Sequence, residues 1–312
     1  MVPRGWPLVD RRPAPGCTHR RALQTCLRAD PNTKYRAVRV RGCEHLRMLA
    51  GPPENDVDPP DAVAELVAGR ASRCVWENEA GGLTYEVGAG DERCFVKWAP
   101  AGSGLDLRAE EVRLGWVAPF DPVPRVIAAG GDAAGTWLVT TPVDGESAVG
   151  DRWRARPVAA VTAIGVGLRH LHDTAPVAEC PFTWSLAHRL SEARARLKSA
   201  ETAPGQWHPD HRRLDVEEVL SILEHPPADD DRVVCHGDAC APNTIIDAAG
   251  RWSGHVDMGR LGVADRWADL AIATWSTEWN YGPGFERALL DAYGVDPDPE
   301  RSAYYRLLWD LA

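Results

Sequence analysis

The sequence predicts an α+β protein of two lobes, a small β-rich lobe followed by a larger and mainly helical one. In residues 59–143, short apolar and β-branched segments alternate with turns rich in Gly, Asn and Asp, a pattern typical of an antiparallel sheet. In residues 144–312, apolar residues recur at helical spacing. We therefore assign the N-terminal lobe to 59–143 and the C-terminal lobe to 144–312.

The first segment, residues 1–58, differs from the remainder because it has clustered arginines, scattered prolines and no sustained period of 2 or 3.6 residues. We expect either a disordered basic extension or sequence translated from a start codon assigned too early, with Met48 as the true start. A small metal site is disfavoured, because its spacings fit no common zinc pattern. Its ligands would be Cys17, His19, Cys26, Cys43 and His45.

The charge of the chain is unevenly distributed. The net charge is −10, yet residues 1–50 hold eleven basic and three acidic residues, which leaves 24 basic and 42 acidic residues in the remainder. Such an acidic body attracts cations, including polycationic small molecules, and repels nucleic acid; solubility alone is an alternative reason for it. The eight cysteines form no C-x-x-C pair, and no apolar run is long enough to span a membrane. We expect a cytoplasmic monomer or homodimer without membrane or nucleic-acid partners.

The N-terminal lobe begins with a predicted helix over Asp61–Val67 and continues as three predicted strands, at 73–76, 84–87 and 94–97. The turn between the first two strands contains Gly81 and Gly82. The absence of a side chain there would let the backbone approach a phosphate closely, and an ordinary hairpin turn explains the same residues equally well.

Lys97 ends the third of these strands. It is one of only three lysines, and a charge at the end of an apolar strand is unexpected at a plain surface. Glu110 follows thirteen residues later, in a segment whose Leu107, Leu114 and Val117 predict a helix. The helix would bring Glu110 to Lys97 as an ion pair; the alternative is a solvated lysine and an unrelated surface glutamate.

Residues 136–141 are a further predicted strand, and residues 161–171 are a predicted amphipathic helix. His170 and His172, near the end of that helix, are expected to interact with its dipole or with the surface. More helices are predicted within 180–232, over 263–279 and over 304–311.

The most informative segment is 233–257, V-V-C-H-G-D-A-C-A-P-N-T-I-I-D-A-A-G-R-W-S-G-H-V-D. It places Asp238, Asn243 and Asp257 beside short β-branched runs of the type that forms buried strands. Three side chains that offer oxygen ligands are therefore expected on loops at strand ends. This set suits phosphoryl transfer from a magnesium nucleotide, which needs a base for the acceptor hydroxyl and oxygen ligands for the metal.

Two motifs in this part of the chain carry a family resemblance. V-C-H-G-D-A-C-A-P-N, followed by V-D-M-G-R-L-G-V-A-D-R-W-A-D-L-A, resembles the aminoglycoside 3′- and 3″-phosphotransferases, which are antibiotic kinases. C-P-F-T and the ending Y-Y-R-L-L-W-D-L-A match the same family. The resemblance covers roughly residues 81–312. It implies a two-lobed, protein-kinase-like fold with ATP and Mg²⁺ as cofactors, and GTP as an alternative to ATP.

The resemblance also implies roles for individual residues. Asp238 would be the catalytic base, and Asn243 and Asp257 would bind magnesium. Lys97, held by Glu110, would bind the nucleotide phosphates. The other expected nucleotide-binding residues belong to the glycine turn and to the hinge between the lobes, where main-chain groups meet the adenine: Gly81, Gly82, Thr141 and Val143. His236 and Asp269 would orient the catalytic loop.

The acceptor side departs from the family's pattern. Members of the family bind polycationic sugars with carboxylates, but Gly205, His208 and Ala241 stand where acidic residues occur in other members. The carboxylates expected to contact the acceptor here are those of Asp210, Glu278 and Asp310, and the terminal carboxylate of Ala312.

We therefore expect an ATP- and magnesium-dependent O-phosphotransferase acting on a hydroxyl of a small cationic molecule of the aminoglycoside type. A kinase of an unidentified metabolite is an alternative. A non-catalytic nucleotide-binding regulator is disfavoured because every expected catalytic position is filled. A Ser/Thr protein kinase is disfavoured because Gly237 precedes Asp238 where an arginine is expected, and because no segment ending in A-P-E follows Asp257.

Overall fold

The structure, a computed structural model of the chain, describes residues 50–199, 204, 207–228 and 231–311. Most of the N-terminal segment, including Met48, and the C-terminal Ala312 lie outside the described residues. Residues 50–58, which we assigned from sequence to the N-terminal extension, are attached to the lobe that follows. Gly51 exchanges two backbone hydrogen bonds with Glu77, of 2.9 and 2.8 Å.

The N-terminal lobe is built on an antiparallel sheet of five strands in the order β1-β2-β3-β5-β4. Burial alternates along β2, because successive side chains of a strand point to opposite faces and only one face packs on the core. The strand β4 was not predicted from the sequence. The strands are β1 (Ser72–Glu77), β2 (Leu83–Val87), β3 (Cys94–Pro100), β4 (Val126–Gly131) and β5 (Gly135–Thr140).

Two helices accompany this sheet, α1 (Asp61–Val67) and α2 (Leu107–Val117). The side chain of Asp106 caps α2 by accepting a hydrogen bond from the backbone N–H of Ala109. The buried residues of α2 are Glu110, Leu114 and Val117, which lie on one face of the helix at i, i+4 and i+7. The helix therefore points a carboxylate into the molecule together with its apolar residues.

The C-terminal lobe is mainly helical and carries two small sheets, one of β7 with β10 and one of β6, β8 and β9. Its strands are β6 (Glu146–Ser147), β7 (Arg232–Cys235), β8 (Thr244–Ile246), β9 (Trp252–His255) and β10 (Gly262–Asp265). Its helices are α3 (Asp151–Arg154), α4 (Pro157–Thr174), α5 (Leu186–Lys198), α6 (Val216–Leu223), α7 (Trp267–Tyr281), α8 (Glu286–Tyr293) and α9 (Pro299–Leu311).

The helix predicted over 263–279 needs a correction at its start. Val263 is part of β10, where it lies opposite Val234 of β7, and α7 begins only at Trp267. The side chain of Asp265 accepts a hydrogen bond from the backbone N–H of Trp267, and so separates the strand from the helix. A four-residue strand is too short for its period to be told from a helix in the sequence.

The small sheets determine where the functional loops lie. The loop 236–243 joins β7 to β8, and the segment 256–261 joins β9 to β10. Because β7 pairs with β10 and β8 pairs with β9, the two connections are neighbours. Across the part of the chain that the structure describes, none of the helices has the length and apolar character needed to cross a membrane.

Candidate active site

Asp269 of α7 anchors the start of the loop 236–243 through hydrogen bonds. It is fully buried, and its carboxylate accepts hydrogen bonds from the backbone N–H groups of His236, at 2.6 Å, and Gly237, at 2.9 Å. Two amides that would otherwise be buried without a partner are satisfied by one charged group, which makes these bonds strong. The start of the loop is thus fixed to α7.

Gly237 is the position where this loop contacts the segment 256–261. Its φ is +81°, in the left-handed region that glycine tolerates best. A Cβ atom there would lie 2.2 Å from the backbone oxygen of Arg260. Both the conformation and the close approach require glycine.

His236 links the loop to the residue that precedes Asp257. The backbone N–H of Asp238 donates to Nδ1 of His236 at 3.3 Å, and Nε2 lies 3.0 Å from the carbonyl oxygen of Val256. Burial, and then the charge of His255, lower the pKa of His236. The imidazole is therefore neutral, with its proton on Nε2 where it can donate to Val256.

The surface position expected for His172 from the sequence is wrong. It is buried rather than at the surface: its Nε2 lies 3.1 Å from Asp269 and its Nδ1 lies 2.8 Å from the hydroxyl of Tyr293. Burial raises the pKa of Asp269, but the hydrogen bond to His172, together with further interactions that include the bond from the Gly237 backbone, holds the pKa below its ordinary value. The available signal was its spacing, since His172 lies four residues after the buried Leu168 on one helix face.

Asp238 and Asn243 lie at the two ends of the same buried loop. Asp238 is 1% exposed, and its carbonyl oxygen accepts a hydrogen bond of 2.9 Å from Nδ2 of Asn243. This orientation leaves the amide oxygen of Asn243 as the atom that can face a cation. The backbone N–H of Val256 donates to the carbonyl oxygen of Asn243 at 3.0 Å, which ties the end of the loop to the residue before Asp257.

Lys97 joins the two lobes at this point. Its Nζ lies 2.6 Å from Oε1 of Glu110 in the N-terminal lobe and 3.1 Å from Oδ1 of Asp257 in the C-terminal lobe. Asp257 has a φ of +66°, an unusual conformation for a residue other than glycine and one that is frequent at functional sites. The structure thus brings together three residues singled out from the sequence, Lys97, Glu110 and Asp257, and it ties the loop of Asp238 to Val256, the residue before Asp257.

The electrostatics of Glu110 depend on this contact. Its carboxylate is buried, and burial raises its pKa, whereas the charge and hydrogen bond of Lys97 are prominent among the interactions that lower it; the net result is a pKa below the ordinary value. The pair therefore keeps a buried carboxylate ionised.

Gly82 and Lys97 line one cleft, but the glycine turn is already hydrogen-bonded internally. The side-chain oxygen of Asn78 accepts from the backbone N–H groups of Ala80 and Gly82, and the Asn78 carbonyl oxygen accepts from Gly81. The amides that we expected near a phosphate are thus occupied in this conformation. The cleft is lined by Trp76, Asn78, Gly82, Leu83, Thr84, Lys97, Trp98, Leu105, Asp106, Leu107, Glu110, Asp257 and Gly259.

Thr141 and Val143 follow β5 and lead into the C-terminal lobe. The backbone N–H of Thr141 donates to the carbonyl oxygen of Arg125, and the Thr141 hydroxyl accepts from the Arg125 N–H. Val143 packs closely on Gly254 of β9, where an added Cβ would lie 2.9 Å from the valine side chain. The structure places both residues at the crossing between the lobes.

The carboxylates expected to contact the acceptor differ in their surroundings. Asp310 is nearly buried and accepts hydrogen bonds from the backbone N–H of His208, at 2.7 Å, and from Nδ1 of His211, at 2.9 Å. Asp210 is 68% exposed, and Glu278 is exposed on α7. Ala312 lies outside the described residues.

The residues present fit a magnesium nucleotide. Mg²⁺ takes few protein ligands and is bound by carboxylate and amide oxygens together with substrate phosphates. Asp257 and Asn243 offer such a donor set on adjacent connections, and the ammonium group of Lys97 lies beside it. The buried carboxylate of Asp238 belongs to the same loop as Asn243.

The two-lobed architecture with this set of residues defines a kinase-like phosphotransferase. Residues 77–305 match the model of the phosphotransferase enzyme family. The chain belongs to this family and is a phosphotransferase enzyme with an alcohol group as acceptor.

Individual proteins of the family resemble the chain over most of its length. An aminoglycoside 3′-phosphotransferase of Streptomyces fradiae is 34% identical over 74% of this chain and 91% of its own length. The crystal structure of an aminoglycoside 3′-phosphotransferase of type VIII superposes with a TM-score of 0.71 and 32% identity, over 81% of this chain and 98% of the other. An aminoglycoside phosphotransferase of Streptomyces rimosus, solved in complex with ADP and streptomycin, has a TM-score of 0.61 and 30% identity, covering 73% and 90% of the two chains. The two-lobed fold predicted from the sequence is confirmed.

Proposed function

We propose that this enzyme transfers the γ-phosphoryl group of ATP, with Mg²⁺, to a hydroxyl group of an aminoglycoside-type antibiotic. The observation that supports this most strongly is the contact chain from Glu110 through Lys97 to Asp257. These contacts join, across the two lobes, the lysine that we propose for phosphate binding to the carboxylate that we propose for metal binding. His236 then connects the residue before Asp257 to the loop of Asp238.

In the proposed reaction, Asp238 accepts the proton of the acceptor hydroxyl. The hydroxyl oxygen forms a bond to the γ-phosphorus while the bond from that phosphorus to the bridging oxygen breaks, and ADP leaves. Lys97 binds the nucleotide phosphates, and Asn243 and Asp257 hold the metal. When bound, Mg²⁺ neutralises the charge that develops on the phosphate oxygens.

The buried positions of these groups support the proposed chemistry. Asp238 lies in a loop whose amides are bound by Asp269 and His236, so its carboxylate has little freedom to move. A base held in position loses less entropy when the substrate arrives. General-base catalysis of this kind contributes about 10²–10⁴-fold to a rate.

The assignment of the acceptor class rests on charge and on the relatives. Residues 51–312 contain 42 acidic and 24 basic residues, which suits a cationic acceptor. The Streptomyces fradiae relative and the type VIII enzyme, which both match most of the chain at more than 30% identity, are aminoglycoside 3′-phosphotransferases.

The proposal is tested by release of ADP from ATP in the presence of Mg²⁺ and single aminoglycosides. We expect release to exceed the rate without acceptor for at least one compound, and to stop when EDTA removes the metal. The phosphorylated product should gain the mass of one phosphoryl group. If no aminoglycoside raises ADP release above the acceptor-free rate, the proposed acceptor class is wrong.

A further inference from the structure

A buried arginine of the C-terminal lobe has no part in the proposed reaction. Arg189 of α5 is 1% exposed, and it is the one arginine or lysine that is buried in the part of the chain described by the structure. Its guanidinium carbon lies 5.2 Å from the ring centroid of Trp184 and 5.8 Å from that of Tyr305. A full positive charge is therefore enclosed among aromatic side chains.

The N–H groups of this arginine lack acceptors. Its Nε and Nη1 atoms are buried, and neither donates a hydrogen bond to a group of the described residues. The indole Nε1 of the adjacent Trp184 is in the same situation. Because buried donors in proteins are nearly always hydrogen-bonded, these three nitrogen atoms on two neighbouring side chains indicate a partner from outside the protein.

The surroundings do not compensate the charge of Arg189. Burial lowers the pKa of Arg189 to about 10, so the guanidinium group is still positive at pH 7. Asp269, an acid that acts on it across the core, already accepts two backbone hydrogen bonds and lies beside His172. The guanidinium carbon of Arg260 lies 5.3 Å from the ring centroid of Trp184, which adds positive charge on the same side of the core.

We infer that the guanidinium group of Arg189 and the indole N–H of Trp184 bind a small monovalent anion of the size of chloride within the C-terminal lobe. This inference is independent of the proposed function, since anion binding there requires neither the nucleotide nor the acceptor.

The chemistry of the donors favours an anion over a water molecule. Guanidinium and indole groups only donate hydrogen bonds, whereas a buried water molecule also needs acceptors for its own hydrogens. An anion accepts hydrogen bonds from several directions. It also neutralises the charge of Arg189, whose isolation in the core is costly.

Burial also selects among anions. Arg189 is enclosed by close-packed side chains, which favours a monatomic ion over a polyatomic one. A phosphate dianion would lose more hydration at the same place, because the cost of burying an ion grows with its charge.

The site lies beside the segments that carry the active site. The backbone N–H of Trp184 donates to the carbonyl oxygen of Val263 in β10 at 3.0 Å, and Arg260 belongs to the segment 256–261. An anion bound to both Trp184 and Arg189 therefore links α5 to β10. We expect it to stabilise the folded C-terminal lobe.

Thermal unfolding of the full chain at constant ionic strength tests the inference. Sodium gluconate, whose anion is too bulky for a buried site, is replaced stepwise by sodium chloride or sodium bromide. Arg189→Met removes the cation and retains an unbranched side chain. Arg287→Met is the matched control, because Arg287 is 62% exposed on α8 and pairs with Asp291.

We expect the Tm of the unaltered enzyme to rise by at least about 3 °C between chloride-free buffer and about 100 mM chloride, because a ligand that binds only the folded state stabilises it. Bromide should act in the same way. R287M should show the same rise as the unaltered enzyme, and R189M should show a rise of less than about 1 °C.

A second measurement does not require R189M to fold. Crystals of the unaltered enzyme soaked in sodium bromide should show an anomalous-scattering peak at hydrogen-bonding distance from Nε or Nη1 of Arg189. Absence of that peak would overturn the inference, and so would a Tm that chloride leaves unchanged or a full chloride effect in R189M. None of these results depends on phosphate transfer, so they are distinguishable from failure of the proposed function.

Discussion

Replacing Lys97 by methionine should destabilise the enzyme in a way that depends on pH. The substitution retains most of the side-chain volume but leaves the Glu110 carboxylate, which is 4% exposed, without its cation. Removing one partner of a buried ion pair costs about 3–5 kcal/mol, because the remaining charge stays desolvated. Lys97 is itself 20% exposed, so water reaches the pair and we expect about 3 kcal/mol at pH 7.

The pH dependence follows from the pKa of Glu110, which lies below its ordinary value in the folded enzyme. The stabilisation that the pair supplies is present above the unfolded-state pKa of about 4.3 and is lost as the pH falls through the folded-state value. In K97M, burial is the largest remaining influence on Glu110 and it raises the pKa, so the variant takes up a proton as the pH falls. The difference in unfolding free energy between the two proteins should therefore shrink from pH 7 to about pH 4.

Thermal unfolding at several pH values measures this effect. A loss of about 3 kcal/mol corresponds to a fall in Tm of about 6–12 °C for a protein of this size. The double variant K97M/E110Q should recover part of the stability that K97M loses, because no buried charge remains at that position. A K97M deficit that is constant with pH, or a double variant whose loss is the sum of the single losses, would refute the reasoning.

Two further substitutions test the support of the catalytic loop. Gly237→Ala should lower Tm by several degrees and reduce kcat, because its Cβ would clash with the Arg260 backbone. The control is Gly102→Ala, since Gly102 has a similar φ of +76° but open space around it. Equal losses in the two variants would show that only backbone strain matters. Asp269→Asn should cost about 2–4 kcal/mol and lower kcat more than it raises KM for ATP, because an amide nitrogen cannot accept the backbone bonds of the loop. A change in KM alone would contradict that role for Asp269.

Much of the site was predictable because its residues lie at strand ends or on one helix. Asp238 and Asn243 are five residues apart in a single loop, and their closeness needs no tertiary information. Lys97 and Glu110 were predictable as a pair because a strand end and a helix face fix the direction of each side chain, and the structure places them 2.6 Å apart.

Other features depend on contacts between distant segments, which spacing does not contain. The burial of His172 follows from its contact with Asp269, 97 residues away. The short strand at Val263 exists because it pairs with β7, and its four residues show no readable period.

The tryptophans of α7 and α9 show the same limitation. The chain contains 13 tryptophans, and composition does not indicate which of them meet. Only the packing of α7 against α9 brings Trp275, Trp279 and Trp309 together.

The central claim is that Asp238 is the base for phosphoryl transfer, and Asp238→Asn tests it most directly. The substitution removes the proton acceptor but preserves the size of the side chain, so phosphate transfer to the acceptor should fall by at least about 10²-fold. The Kd for ATP with Mg²⁺ should change by less than about twofold, and the surface control Asp173→Asn should leave both unchanged. Turnover by Asp238→Asn within about tenfold of the unaltered enzyme would contradict the account, because a different group would then have to accept the proton.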